Sequence, residues 1–178
     1  LAAAGAVGLA GAAVLIFTAS FRIRRLLSFL DPDADPLGAS FQLKQSLMAI
    51  STGGIGGLGL GQGQQKLHFL PQPTSDFIFG VVGEETGLVG CLIVLAAYLV
   101  LLWRGLYTAR HTDDQFGRLL AAGITMMIVF QGLANISVTT GLLPTTGMPL
   151  PLISAGGSSL VISLAGLGLL LNISQHSR

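Results

Sequence analysis

Across residues 119–177 this chain carries no Asp, Glu, Lys or Arg. No water-facing surface can be built from such a stretch, because a soluble domain draws about 25% of its residues from those four types. The rest of the chain is only slightly less extreme: 51% of the 178 residues are hydrophobic and 10% charged, and the mean hydropathy is +0.75. An ordinary cytosolic enzyme and a disordered tail are thereby excluded. Nine Lys and Arg against eight Asp and Glu leave a net charge of +1, too little to drive nucleic-acid binding. One cysteine supports neither a disulfide framework nor a Cys-rich metal site. What remains is a polytopic membrane protein, and its 25 glycines suit closely packed transmembrane helices.

A membrane-spanning helix needs about 20 mostly apolar residues. Four stretches qualify, at about residues 1–21, 77–103, 119–138 and 155–173, and Pro144, Pro149 and Pro151 separate the last two. The predicted fold is therefore all-α, a helical membrane bundle with four spans. Leu1 opens inside an apolar run with no basic leader or cleavage site. The run reads as a span rather than a signal peptide, and the chain as the C-terminal piece of a longer protein. Between the first two spans lies a large loop, residues 22–75, holding Arg22, Arg24, Arg25, Asp31, Asp33, Asp35, Lys44 and Lys66. Within it, residues 41–50 set Leu43, Leu47 and Ile50 at helical spacing, with Gln42, Lys44 and Gln45 elsewhere. That is the pattern of an interfacial or re-entrant helix. Basic residues divide almost evenly between the two sides, so the positive-inside count does not orient the bundle.

Residues 51–63 contain Gly54, Gly56 and Gly59 in a G-x-G-x-x-G spacing, but no strand precedes them and no Walker lysine follows. The plain reading is a flexible or closely packed turn beside the membrane. A sharper one is a backbone surface whose amides approach a phosphate, with Lys66 as counter-charge. Asp76 stands at the mouth of the second span. It fits a helix N-cap. It also fits a general base, since the polar loop supplies water while the adjoining apolar run desolvates the carboxylate. At 100° per residue Gly80, Gly83, Gly87 and Gly90 share its helical face, a stripe on which another helix can lie close. Glu84 and Glu85 lie within the span, where an acid is costly and takes a functional or partnering role. They point in different directions and form no obvious carboxylate pair. Gln131 and Asn135 share one face of the third span, fitting interhelical hydrogen bonds first and substrate contact second. Ser158 and Ser159 follow a glycine pair without a His/Asp partner, and His68, His111 and His176 lack metal-ligand spacing.

Four blocks give the chain a resemblance. They are residues 22–38 (RIRRLLSFLDPDADPLG), 41–66 (FQLKQSLMAISTGGIGGLGLGQGQQK), 69–87 (FLPQPTSDFIFGVVGEETG) and 141–159 (GLLPTTGMPLPLISAGGSS). In this order they resemble the C-terminal part of the SEDS family of peptidoglycan polymerases, which includes FtsW, RodA and SpoVE. The wording of the glycine run is most similar to the FtsW branch, which implies a role in cell division. The resemblance implies the last four helices of a ten-helix enzyme of the bacterial inner membrane, with residues 22–75 and 139–154 outside the cytoplasm. It implies polymerisation of lipid II into glycan strands with release of undecaprenyl pyrophosphate. It implies as partners a class B penicillin-binding transpeptidase and other divisome proteins.

The family's essential acid falls on Asp76. Lys44, Gln45, Lys66, Arg22, Arg24, Arg25, Ser158 and Ser159 are candidate substrate contacts, the cations because they balance a departing diphosphate. A divalent cation, magnesium or manganese, is compatible with such a donor, although the sequence presents no ligand set for one. Some positions depart from the family pattern. Gln72, Pro73, Thr74 and Ser75 stand where Glu and His are common before the Asp, and Phe41 and Ala155 stand where Tyr is frequent. Two other function classes fit the composition: a transporter of lipid-linked precursors, which would use intramembrane acids such as Glu84 and Glu85, and a non-catalytic scaffold for the transpeptidase.

Overall fold

The computed structural model describes residues 39–63 and 76–175, together with Phe29. Residues 1–21, expected as the first span, lie outside the described residues, as do Arg22, Arg24, Arg25 and Lys66. Among the described residues there are four helices: α1 (Ala39–Gly53), α2 (Ile78–His111), α3 (Gln115–Thr139) and α4 (Gly157–Gln175). Among the described residues there is no strand, and α2, α3 and α4 are each long and apolar enough to cross a membrane. The fold is all-α, and its spans belong to a multi-pass membrane protein.

α2 and α3 form the central antiparallel pair, joined by a short turn in which Asp114 caps α3 by accepting from the Gly117 amide at 2.7 Å. Small residues let the two backbones approach. A Cβ on Gly105 would lie 2.1 Å from Thr125 Oγ1, and one on Gly132 would enter the Tyr98 ring. Around these contacts Phe79, Tyr98, Ile128 and Leu150 form one buried cluster, and Ala109, Ala121 and Leu170 another. α4 joins along α3, with Gly166 against Ile124. The outward faces remain apolar, with Ile93, Trp103, Phe130 and Val161 all more than half exposed. A helix apolar on every side belongs in lipid or against further helices.

The second span was expected to stop near residue 103, but α2 continues through Arg104 to His111. The charge ended the apolar run without ending the helix. Arg104 carries its guanidinium over the Tyr107 ring at 5.9 Å, and Tyr107 stacks on His111 at 4.0 Å, so the helix emerges with amphipathic side chains reaching outward.

The helix expected over residues 41–50 is α1. Its buried face is Ser40, Ser46, Ala49 and Gly53, whereas Leu47 and Met48 are exposed. Of the apolar side chains set at helical spacing, Leu47 is exposed while Ile50 packs against Gly83 of α2, so the face turned to α2 is mostly small and the outward one suits an interfacial helix. Ser46 Oγ also donates to the Thr139 carbonyl of α3 at 3.0 Å, fastening α1 across both helices.

Candidate functional site at a broken helix

α2 is two helices merged across a kink. Gly87 has φ 67 and ψ −162, a conformation essentially confined to glycine. In an unbroken helix Leu88 N would donate to Glu84 O, and Val89 N to Glu85 O. Both bonds are intercepted by the glycine turn that follows α1. Leu58 N and Gly59 N donate to the Glu84 and Glu85 carbonyls at 3.0 Å each, while Leu88 N and Val89 N donate to Gly54 O at 2.9 Å and Ile55 O at 3.4 Å. Four backbone groups freed by the break thus find four partners. Irregular backbone at membrane depth is tolerated only when satisfied in this way.

The fit leaves no room for side chains. A Cβ on Gly57, itself at φ 76, would sit 2.2 Å from the Glu85 carbonyl oxygen, and one on Gly87 would sit 2.4 Å from Gly57 N. The turn is therefore the closely packed one of the two sequence readings. Its Gly57, Leu58, Gly59 and Gln62 amides are already donated to protein carbonyls, so they do not cradle a phosphate.

The break also alters the expected glycine stripe. Gly80 and Gly83 face α1, against Ser46 and Ile50, so close packing does occur beside the start of α2. At Gly87 the helical phase is lost, and Gly90 faces Thr86 one turn earlier instead of a neighbouring helix. Replacing Gly83 by Leu should push α1 away, since even its Cβ would come within 2.9 Å of Ile50 Cγ1. Full-length Gly83→Leu protein is expected to insert in membranes yet lose at least about tenfold in activity, given that a 1 Å misplacement can cost about a hundredfold. Wild-type turnover from inserted protein would show that α1 does not hold this end of α2. Glu84, 1% exposed, and Glu85 lie under the turn, with Gly63 next to Glu84 Oε2 and Glu85 Cγ.

Asp76 precedes α2 by two positions and is half-buried. It is not the N-cap: that position is Phe77, without a side-chain cap. Among the described residues no hydrogen bond or ion pair holds the Asp76 carboxylate. Its main chain is held instead, because Asn135 Nδ2 donates to the Asp76 carbonyl at 2.7 Å and to the Met148 carbonyl at 2.7 Å. Gln131 Nε2 reaches Pro149 O at 3.0 Å, and Tyr98 Oη reaches Pro151 O at 2.5 Å. The two amides on α3 thus bond to backbone carbonyls of the connection between α3 and α4, and Asn135 also to that of Asp76 just ahead of α2, rather than to side chains of another helix.

That connection contains three prolines without N–H groups, Pro144, Pro149 and Pro151, and cannot satisfy its carbonyls by regular structure. It closes with a tight turn in which Leu150 N donates to Ser154 Oγ at 2.8 Å and Ser154 N to Leu150 O at 2.9 Å. Leu152 there takes φ 67, a conformation costly for a side chain of its size.

The remaining candidates divide. Lys44 and Gln45 lie on α1 just before Ser46, the residue that meets Gly80 one turn after Asp76; Lys44 is exposed and Gln45 half-buried. Ser158 and Ser159 open α4, Ser158 exposed, and neither is bonded to Asp76. Among the described residues no three His, Cys, Asp or Glu side chains are grouped to hold a metal ion. Tyr98 and Met148 were not singled out in the sequence; the signals were the paired prolines and an i, i+4 amide pair on an uncharged span.

The sequence profile of the FtsW/RodA/SpoVE family, described as "Cell cycle protein", matches residues 1–178. The chain belongs to this family. It is 48% identical over 174 residues to stage V sporulation protein E of Bacillus subtilis, covering 98% of this chain and 48% of that protein. It is 47% identical to the probable peptidoglycan glycosyltransferase FtsW of Geobacter sp. (strain M18), covering 98% and 47%. With the peptidoglycan glycosyltransferase MrdB of Escherichia coli K12 it shares 43% over 89% of this chain and 43% of the relative. The chain therefore spans about half the length of the curated relatives it matches. Among solved structures, a chain of a peptidoglycan synthase complex aligns with a TM-score of 0.68 and 36% identity, over 95% of this chain and 48% of that one. A point mutant of the rod shape determining protein RodA from Thermus thermophilus aligns with a TM-score of 0.54 and 40% identity, over 58% and 35%.

Proposed function

We propose that the intact protein is a peptidoglycan glycosyltransferase that polymerises lipid II, with Asp76 as general base. The observation that carries this reading is the Asp76 carboxylate itself. It is half-buried at the start of an apolar helix, takes no part in capping, and has its backbone fixed from α3. A base must sit within hydrogen-bond reach of the proton it removes. At a loop–membrane junction it can meet a sugar whose lipid stays in the bilayer.

In the reaction the acceptor hydroxyl gives its proton to Asp76 while its oxygen bonds to the donor's anomeric carbon. The bond from that carbon to the diphosphate oxygen breaks, and undecaprenyl pyrophosphate leaves with the electron pair. Lys44, Lys66, Arg22, Arg24 and Arg25 are this chain's candidate cations for balancing that charge. Gln45, Ser158 and Ser159 are its uncharged candidates for contacting the sugar and diphosphate.

The relatives named glycosyltransferases and the neighbour taken from a peptidoglycan synthase complex support the reaction and a partner transpeptidase. The glycine-run wording favours the division branch, with divisome partners. This reading places the protein in the inner membrane with residues 22–75 outside the cytoplasm. Reconstitution of the full-length protein with its transpeptidase should yield glycan strands from lipid II. Movement of lipid II between leaflets without strand formation would favour the transporter instead.

A further inference from the structure

We propose that Asn135 is a positioning residue for glycosyl transfer: its amide pins the Asp76 backbone to the connection between α3 and α4, so that the 148–151 segment sets where the carboxylate stands. The inference rests on the reading of Asp76 as the base.

Asn135 is 2% exposed, and both hydrogens of its Nδ2 are used, one on Asp76 O and one on Met148 O, at 2.7 Å each. Turning the amide over would set Oδ1 against those two carbonyl oxygens, an arrangement without a proton to share, so the bonds fix its orientation. Among the described residues Oδ1 has no hydrogen-bond donor. The amide is therefore held entirely by the two carbonyls it joins.

Those carbonyls come from segments that otherwise meet through apolar packing, with Phe79 and Leu150 in one buried cluster. Asp76 lies ahead of α2, beyond the reach of its helical bonds, because the first backbone bond there runs from Gly80 N to Phe77 O. Met148 begins the proline-containing stretch whose next carbonyls are held by Gln131 and Tyr98. Asn135 thus transfers the rigidity of α3 and of that gripped segment to the residue carrying the carboxylate. It touches the Asp76 main chain and not its side chain, so it acts on where the base stands rather than on its chemistry.

The test uses the full-length protein with its transpeptidase, measuring kcat and KM for lipid II. The variants are Asn135→Leu, Asn135→Asp, Thr125→Val and Asp76→Asn. Leu has the same number of side-chain heavy atoms as Asn, branched at the same carbon, but is bulkier and has no donor. Asp keeps the shape and supplies at most one hydrogen in place of two. Thr125 is as buried on the same helix but bonds only to Ala121 O, so Thr125→Val controls for general loosening of α3.

We expect kcat to fall about a hundredfold in Asn135→Leu, the scale of a misplaced catalytic group, with KM unchanged and Thr125→Val close to wild type. A lower kcat at unchanged KM removes something made only in the transition state. Unchanged kcat in Asn135→Leu, where Asp76→Asn is inactive, overturns the positioning role and leaves the base intact. A raised KM with normal kcat also overturns it, showing direct substrate contact. An active Asp76→Asn protein removes the base itself and the inference with it. Should Asn135→Leu fail to insert, Asn135→Asp decides by the same criteria.

Discussion

Asp76→Asn in the full-length protein is expected to insert normally, bind its transpeptidase and form glycan strands about a hundredfold to ten-thousandfold more slowly, the usual contribution of a general base. The substitution is a demanding one because it is nearly isosteric. The bond that fixes this residue uses the Asp76 carbonyl, which the variant keeps, and no cap is lost because Phe77 holds that position. What disappears is the ability to take a proton from the acceptor hydroxyl. The measurement is the initial rate of strand formation from lipid II, with co-purification of the partner as the check on folding. A rate within twofold of wild type would reassign Asp76 to a structural part and return attention to the scaffold reading.

The second large effect is expected at the intercepted helix. Gly87→Ala forces a side chain into a backbone conformation costing about 1–3 kcal/mol outside glycine. Its Cβ would also press on Gly57 N and Ile55 O, which belong to the turn. Separating turn from helix then puts at risk four backbone hydrogen bonds, each with a net value of about 1 kcal/mol. Gly57→Ala should behave alike, since it attacks the same contact from the other side. Gly56→Ala is the internal control: it has no left-handed φ, and nothing lies within 4 Å of its Cβ position. Unfolding of the purified proteins in detergent, followed by helical signal against denaturant, should show both first variants destabilised by several kcal/mol and Gly56→Ala unchanged. Equal stability of all three would mean that the turn is not locked into the break.

Several features were legible in the sequence for direct physical reasons. The uncharged run over residues 119–177 admits only a membrane interior, and the prolines at 144, 149 and 151 cannot sit inside a span, so α3 and α4 had to be separate. Asp76 stood out because an acid next to an apolar run carries a desolvation cost that few positions accept. Other features misled. The glycine stripe reads as continuous along one face, which holds only for an unbroken helix; at Gly87 the phase is lost and Gly90 turns to Thr86. The charge of Arg104 was read as a boundary, although a long side chain on an emerging helix can reach the interface.

Composition and hydropathy alone determined that this chain folds as membrane helices, roughly where three of them run, and that its acids and glycines gather around the loop that meets the span after Asp76. Only the tertiary structure decided that α2 is broken at Gly87, and that a distant glycine turn takes over its two lost hydrogen bonds. Only the tertiary structure decided, too, that Asn135 ties Asp76 to the proline-containing connection. The reason is the same in each case. Period and polarity act between residues a few positions apart, whereas Leu58 with Glu84 is a backbone bond, and Asn135 with Asp76 a side-chain bond to a backbone carbonyl, between segments far apart in the chain. Every residue carries the same carbonyl and nearly every one the same amide, so no pattern of side chains specifies which carbonyl a distant amide, of the main chain or of Asn135, will meet.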